Sequence, residues 1–551
     1  MGKACEKARV ALRKFRVHSN RMTNLLGTSI IGQQRGAAGG DISHAHKAAT
    51  GEALDPAVHG ASAAEVSRAA ELAQAAFVDF SRLSGRQRGA FLRAIASQIE
   101  SLGERLTLRA MEETGLPEGR IKMETGRTTG QLRLHATAIE DGSWCDARID
   151  HADPNRQPIP KVDLRSMQRP LGPVVVFCAS NFPLAFSVAG GDSCAAWAAG
   201  CPVIVKAHSS HPGTAELVGS AVQAAVAACG LPEGVFSLLF GGGRTVGQAL
   251  VQHPAVKAVG FTGSRAGGLA LMKLAAERPE PIPVYAEMSS INPTILLAGA
   301  LAERGEALAT GLHGSVTIGV GQMCTNPGLV IVDRQGPVEA FQTKLAELMA
   351  GTVAGTMLNG SICQAYQKGI GKLATHPQVE VLAQATPGGV GTTGAATLLR
   401  TTAQAFLMDP ALSEEIFGPA TLLVMADGVG EILQVVQHLE GQLTGTLHGT
   451  AAELAGSGDL LAALERKVGR VLCNGFPTGV EVCHSIVHGG PFPATSDGRS
   501  TSVGTLAINR FTRPVAYQNF PDPTLPAELQ EANPLGIARL VDGVRTGQSA
   551  G

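Results

Sequence analysis

The chain has 551 residues, enough for two or three domains around a large core. A hydrophobic fraction of 44% with 17% charged residues excludes a disordered chain, and a formal net charge of -1 supplies no field for nucleic acid or an anionic membrane. Aromatic residues are only 4%, too few for a surface that stacks single-stranded bases. The ten cysteines contain no C-x-x-C pair, which argues against a disulfide framework or zinc ribbon and for a reducing cytoplasm.

The first 21 residues stand apart. Lys3, Lys7, Arg9, Arg13, Lys14, Arg16 and Arg21 oppose Glu6 alone, with no apolar stretch for secretion. They read as a disordered extension, with Met22 as an alternative initiator. Residues 25–33 read as an opening strand, 63–80 as a helix and 86–115 as further helices. Residues 122–135 carry Glu124, Arg127, Gln131 and Arg133. Arg127 and Gln131 are four apart and share a face on a helix, which fits either a solvated face or a site. Residues 153–170, rich in Pro, read as an arm leaving the domain. Residues 170–191 carry no formal charge and are long enough for a bilayer, but Pro170, Pro173, Asn181, Pro183 and Gly190-Gly191 break them too often. They read as strand, loop and a helix over 184–199.

From Gly172 strands and helices alternate. Strand-like runs at 174–177, 202–205, 235–239, 256–261 and 283–286 are separated by helical runs at 213–228, 245–251 and 266–275. Without hairpin signals, this predicts a doubly wound α/β parallel sheet covered on both faces. Two glycine clusters follow strands and open helices, at 241–247 and at Phe261-Thr262-Gly263-Ser264. Either suits a phosphate at a helix N-terminus, and either suits an ordinary βα turn. A helix over 300–318 leads to Gly319-Val320-Gly321-Gln322-Met323-Cys324-Thr325-Asn326-Pro327-Gly328, and a strand follows at 329–332. Cys324 therefore sits on a tight turn, where a thiolate is presented to a cleft; a buried structural cysteine is the plain alternative. A second alternating region, with strands at 421–424 and 471–473, runs on to a Pro- and Asn-rich tail with a strand at 515–517.

Four more pieces accompany Cys324. Asn181 lies just past a strand, Lys206 and Glu287 end strands, and Glu414-Glu415-Ile416-Phe417-Gly418-Pro419 lies in the second region. In this order and spacing the chain resembles the aldehyde dehydrogenase superfamily from about residue 24 onward. The resemblance implies a cofactor-binding domain over 22–152 and 171–286 and a catalytic domain over 287–502. Residues 153–170 and 503–551 would pair into a small sheet used in a homodimer or dimer of dimers. It implies that Cys324 attacks an aldehyde, Asn181 and the Cys324 N–H hold the oxyanion, and Glu287 is the general base. Lys206, Ser209, Gly263, Ser264, Glu415 and Phe417 would hold a nicotinamide cofactor. Arg127, Gln131, Phe182 and Phe476 would face the substrate. Ser209 stands where NAD-preferring relatives carry a glutamate, so NADP is expected, with NAD also accepted.

There are departures: Met288-Ser289-Ser290 replaces the usual Leu-Gly-Gly, and Met323 precedes the cysteine. The 127–133 run, the 483–491 loop and the 517–521 tail resemble a sub-branch of 2-oxoglutarate semialdehyde dehydrogenases, to which a long-chain aldehyde dehydrogenase is related. A short semialdehyde carrying a carboxylate is the expected substrate, with aliphatic aldehydes as the alternative. Cys483, His484 and His488 form a possible metal set, but without a further ligand cluster the loop is expected to flank the substrate mouth and no metal is expected. A cysteine hydrolase using His313 or His484 as base is the rival from another class.

Overall fold

The computed structural model describes residues 25–388 and 391–547, so the expectation for residues 1–21 lies outside the described residues. The first sheet has seven strands. Its parallel body runs Val284–Glu287, Ala258–Thr262, Val174–Phe177, Val203–Lys206, Phe236–Leu239. Successive residues of these strands serve two cores. Val174, Val176, Val203 and Val205 pack with Phe91, Trp197 and Val222, whereas Val175, Phe177 and Ile204 pack with Val66, Leu250 and Leu271. Apolar side chains on both faces are what a covered parallel sheet requires. Each large one contributes about 1.5–3 kcal/mol of burial. The covering helices start where the sequence caps them. Ser62 with Glu65 and Ser84 with Gln87 form reciprocal capping boxes at Ala63–Phe80 and Gly85–Ser101.

The chain leaves Val174–Phe177 in one direction, through Val203–Lys206 and Phe236–Leu239. It then returns to the other side for Ala258–Thr262 and Val284–Glu287. The strand order therefore reverses between Val174–Phe177 and Ala258–Thr262. Ligands bind beyond the carboxyl ends of strands at such a switch point.

Three expected elements differ. The opening strand is only Ile30–Ile31, antiparallel to Phe236–Leu239, and it turns back at Gly32 into Gln34–Arg35. The N–H groups of Leu26 and Gly27 go to the buried Glu216 carboxylate instead of to a ladder. The helix expected over 184–199 begins only at Gly191. Before it, one Glu124 carboxylate oxygen accepts the N–H groups of Leu184 and Ala185, both at 2.9 Å, which holds that stretch in turns. Residues 243–247 form a single π turn ahead of the short helix Gln248–Gln252. The hairpin Ile42–His46 with Ala53–His59 was not signalled by the sequence pattern.

The second sheet also has seven strands, in the order Glu380–Gln384, Thr397–Thr402, Ala420–Ala426, Leu329–Asp333, Thr294–Leu296, Gln442–His448, Val468–Cys473. All neighbours are parallel except the first pair. A third sheet joins the arm to the tail: Leu164–Pro170 pairs antiparallel with Thr512–Gln518 along its whole length. The boundaries expected at 287 and 502 are not clean. Thr495 bridges to Glu287, and Met288 N–H donates to the Ala494 carbonyl, so the 494–496 segment lies along the edge of the first sheet. Residues 505–511, expected in the tail, place Ala507, Ile508 and Phe511 in the first core, beside a buried Arg510–Asp192 pair. Among the described residues no helix is long and apolar enough to cross a membrane.

Candidate active site

Cys324 lies where the two sheets meet. The helix Ala298–Thr317 ends in a loop whose Gly319, Val320 and Gly321 have φ of 60°, 57° and 64°. A left-handed valine is uncommon because its branched Cβ crowds the backbone. Val320 is held there by the antiparallel pair Gly355–Thr356 with Thr393–Gly394, where a Cβ on Gly355 would collide with it and one on Gly394 would crowd it. Gly321 is needed outright, since a Cβ there would fall on the Gly418 backbone. Beyond the nucleophile, the Asn292 amide donates to the carbonyls of Cys324 and Asn326, each at 2.9 Å. The Asn326 amide donates on to the Gly418 carbonyl at 3.3 Å. The loop is thus tied on both sides, and the Cys324 N–H has a fixed direction.

Glu287 ends the Val284–Glu287 strand and is 1% exposed. His488 Nε2 lies 3.0 Å from Glu287 Oε1 and 3.5 Å from Cys324 Sγ, and Ser502 Oγ donates to Glu287 Oε2 at 2.9 Å. Burial alone would raise the Glu287 pKa. His488, Ser502 and the Cys324 thiol outweigh it and hold the carboxyl below its ordinary value. The same burial, with the Glu287 charge and hydrogen bond, pushes the Cys324 thiol well up; Arg127 opposes that shift. The resting centre is a thiol hydrogen-bonded to a carboxylate, with His488 joined to both.

His488 is the member the sequence pattern left in a mouth-flanking loop. The rival bases do not reach the sulfur. His313 Nε2 bonds to Thr352 and His484 Nδ1 to Thr505. Nor does His488 form a nucleophile–base–orienter relay, which needs one ring nitrogen for each partner, because both its contacts use Nε2.

Asn181 is buried at 8% exposure, and its amide donates to the Gln322 carbonyl at 3.0 Å, two residues before the cysteine. The amide carries a second N–H for another acceptor. Phe182 and Phe186 stack edge to face at 5.3 Å, and Phe186 lies 6.0 Å from the His488 ring. Arg127 sits 5.4 Å from both phenyl rings, with buried Nε and Nη2 atoms that have no protein partner. Arg120, two helical turns earlier, stacks on Phe182 at 4.5 Å and reaches the Asn181 carbonyl and the Met323 sulfur. Its partner Glu124 is 3.4 Å away. Arg133, by contrast, pairs with the exposed Glu100. Gln131, one turn further along the same helix, is buried against Gly191 near the Ser502 carbonyl. Phe476 packs against the core of the second sheet, over Gly311 and 4.8 Å from the His448 ring. The structure therefore gathers Arg127, Phe182 and the unanticipated Arg120 and Phe186 beside the nucleophile, and leaves Gln131 and Phe476 in packing positions.

On the opposite side of the cysteine the switch point opens. Lys206 ends its strand at 9% exposure with no ion-pair partner among the described residues, and burial lowers its pKa. Ser209 follows in an exposed turn, between His208 and His211 in sequence, whose rings stack on each other. Gly263 and Ser264 are exposed at the N-terminus of Arg265–Ala276, where Ser264 caps Gly267 N–H. Across the cleft, Glu415 and Phe417 line a cavity with Met323 and Gly321. Burial raises the Glu415 pKa to about 7. A buried lysine without a counter-charge, an open helix N-terminus and an acceptor opposite them fit a dinucleotide.

A thiol, a buried carboxylate and a dinucleotide-type cleft between two α/β sheets are the parts of an oxidoreductase. The aldehyde dehydrogenase family model matches residues 41–491. An alpha-ketoglutaric semialdehyde dehydrogenase of Azospirillum brasilense is 54% identical over 520 residues, covering 94% of this chain and 99% of that protein. One from Acinetobacter baylyi is 47% identical over 483 residues, 88% of this chain and 91% of its own. Among solved structures, the lactaldehyde dehydrogenase of Escherichia coli superposes with a TM-score of 0.78 at 21% identity, covering 89% of this chain and 98% of that one. An aldehyde dehydrogenase of Pseudomonas syringae, solved with NAD+ and octanal, gives 0.76 at 23% identity, covering 90% and 98%. The chain belongs to the aldehyde dehydrogenase family.

Proposed function

We propose that this enzyme oxidises 2-oxoglutarate semialdehyde to 2-oxoglutarate with a nicotinamide cofactor. The observation that carries the substrate is Arg127, whose buried and unpartnered guanidinium atoms stand beside the nucleophile, ready for a carboxylate. The identity to semialdehyde dehydrogenases over nearly the full chain supports it. Formation of reduced nicotinamide with this substrate, and little with an uncharged aliphatic aldehyde, tests it.

The residues act as follows. Cys324 attacks the aldehyde carbon as its thiolate, the thiol proton leaving to solvent, while Glu287 keeps its charge for the later step. The free N–H of Asn181 and the Cys324 N–H hold the oxyanion. A nicotinamide, when bound, would supply the hydride acceptor, and Cys324 would then carry the acyl group as a thioester. Glu287, a carboxylate throughout the first half-reaction, takes a proton from the water that hydrolyses it and passes that proton to solvent. His488 holds the carboxylate in place through both steps. Lys206 and Glu415 would hold the ribose hydroxyls and Gly263–Ser264 the phosphates. With its donor removed, Asn181→Ala is expected to lower kcat by roughly 10²–10³, with cofactor binding unchanged by fluorescence titration.

NADP+ is expected to be accepted at least as well as NAD+. The position after Lys206 that would repel a 2′-phosphate with a carboxylate is the exposed hydroxyl of Ser209. A kcat/KM strongly favouring NAD+ would contradict this. The free outer edges of Thr512–Gln518 and Val468–Cys473 support a homodimer or dimer of dimers. The described cysteines are all unpaired, which supports a reducing compartment such as the cytoplasm.

A further inference from the structure

The Glu287, Cys324 and His488 group has a chemistry that aldehyde oxidation does not use. A carboxylate oxygen, a sulfur and an imidazole nitrogen lie within 4.8 Å of one another, all on buried or half-buried residues. In a tetrahedral zinc site with Zn–S about 2.3 Å and Zn–N about 2.0–2.1 Å, the S···N edge is about 3.5 Å and an N···O edge about 3.3 Å. The observed separations from His488 Nε2 are 3.5 Å to Cys324 Sγ and 3.0 Å to Glu287 Oε1. Two edges of the tetrahedron are already in place.

We propose that the catalytic centre is also a binding site for a thiophilic divalent cation of the Zn2+ class, which inhibits the enzyme reversibly. Thiolate and carboxylate together neutralise the ion, and the neutral imidazole completes three protein ligands with a fourth position for water. Mixed sulfur and nitrogen donors select Zn2+ or Co2+ over Mg2+ or Ca2+. Ser502, donating to the far oxygen of Glu287, supplies the outer hydrogen bond that orients a ligating carboxylate. As the metal binds, the Cys324 proton leaves to solvent, the ring proton of His488 passes from Nε2 to Nδ1 so that Nε2 can ligate, and no electron is transferred. Aldehydes then meet no free thiolate, and Glu287 can no longer take a proton. This inhibitory consequence rests on the function proposed above; the site itself rests on the geometry.

The test adds Co2+ to the chelator-treated full chain without substrate. One equivalent is expected to produce a thiolate-to-cobalt charge-transfer band and the strong d–d bands of a tetrahedral ion. Zn2+ should displace it and protect Cys324 from iodoacetamide. His488→Gln should weaken binding at least about tenfold, with circular dichroism unchanged to show that it folds. His484→Gln, on the same loop but exposed, should leave the bands intact. Absence of a charge-transfer band, or undiminished bands in His488→Gln, overturns the site. Bound cobalt with unaltered turnover overturns the inhibition and the role of Cys324 together, while leaving the site.

Discussion

Glu287→Gln is expected to release one rapid burst of reduced nicotinamide, about one equivalent per site, and then to stall. The thioester forms on Cys324, but no carboxylate remains to take a proton from the hydrolytic water. A lost general base costs roughly 10²–10⁴ in rate. Cys324→Ala is expected to give neither burst nor turnover while still binding cofactor. The charge coupling between the two residues adds a pH signature. Burial and the Glu287 charge hold the Cys324 thiol well above its ordinary pKa, so the wild-type burst rate should climb with pH far into the alkaline range. In Glu287→Gln the negative neighbour is gone. The thiolate becomes easier to form, and the rise should begin at lower pH. Stopped-flow measurement of the burst across pH checks both points. Full steady-state activity in Glu287→Gln would remove that residue from its role. An unmoved burst profile would mean that its charge does not govern the thiol.

His488 makes the arrangement tighter than a cysteine and a carboxylate alone. A carboxylate shielded from water by apolar surroundings alone would become protonated and cease to be a base. Hydrogen bonds from Ser502 and from His488 keep Glu287 ionised despite its 1% exposure. The imidazole is in turn packed on Phe186, so the acidity of the centre and the shape of the substrate pocket share a wall.

The parallel strands were legible because a strand covered on both faces reads as an unbroken apolar run, as in Val174-Val175-Val176-Phe177. What sequence pattern missed was set by distant side chains. Glu216 takes the N–H groups of Leu26 and Gly27, and Glu124 those of Leu184 and Ala185; in both cases a buried carboxylate replaces regular structure at long sequence separation. The convergence of Cys324, Glu287 and Asn181 on one cleft was legible because each follows a regular element within a resembling motif. His488 carried only the signal of a Gly-rich loop. Nothing local says that its ring turns inward to residue 287 while His484 turns out to Thr505. Arg120 did carry a signal that was available. It precedes Arg127 by seven residues, two turns of one helix, and therefore shares its face. Phe476 shows the opposite error: an aromatic residue near the end of a strand is first a packing residue, and here it fills the space over Gly311.

Arg127→Ala is expected to lower kcat/KM for 2-oxoglutarate semialdehyde by about 10- to 100-fold, the worth of a hydrogen bond to a charged group. Uncharged aldehydes should be unaffected or improved. The guanidinium is desolvated, which lowers its pKa, and the Phe182 and Phe186 rings are its main neighbours. Buried guanidinium atoms without partners are costly, and an incoming carboxylate removes that cost. The substrate is the right length for this. Four carbon–carbon bonds place its carboxylate about 5 Å from the aldehyde carbon when extended. Glu124 forms no ion pair with Arg127: one carboxylate oxygen accepts two backbone N–H groups and the other lies 3.4 Å from Arg120, so its charge acts on Arg127 only from a distance. Arg127→Lys should recover only part of the loss, because an ammonium cannot make the bidentate contact. Arg120→Ala should cost more broadly, since Arg120 also braces Asn181 and Met323 beside the nucleophile. Its loss is expected to lower kcat for charged and uncharged aldehydes alike. Steady-state kinetics of the three variants with one charged and one uncharged aldehyde separate these roles. If wild type prefers the uncharged aldehyde, the substrate assignment fails. If wild type prefers the semialdehyde and Arg127→Ala does too, the substrate stands and the carboxylate is held by another group.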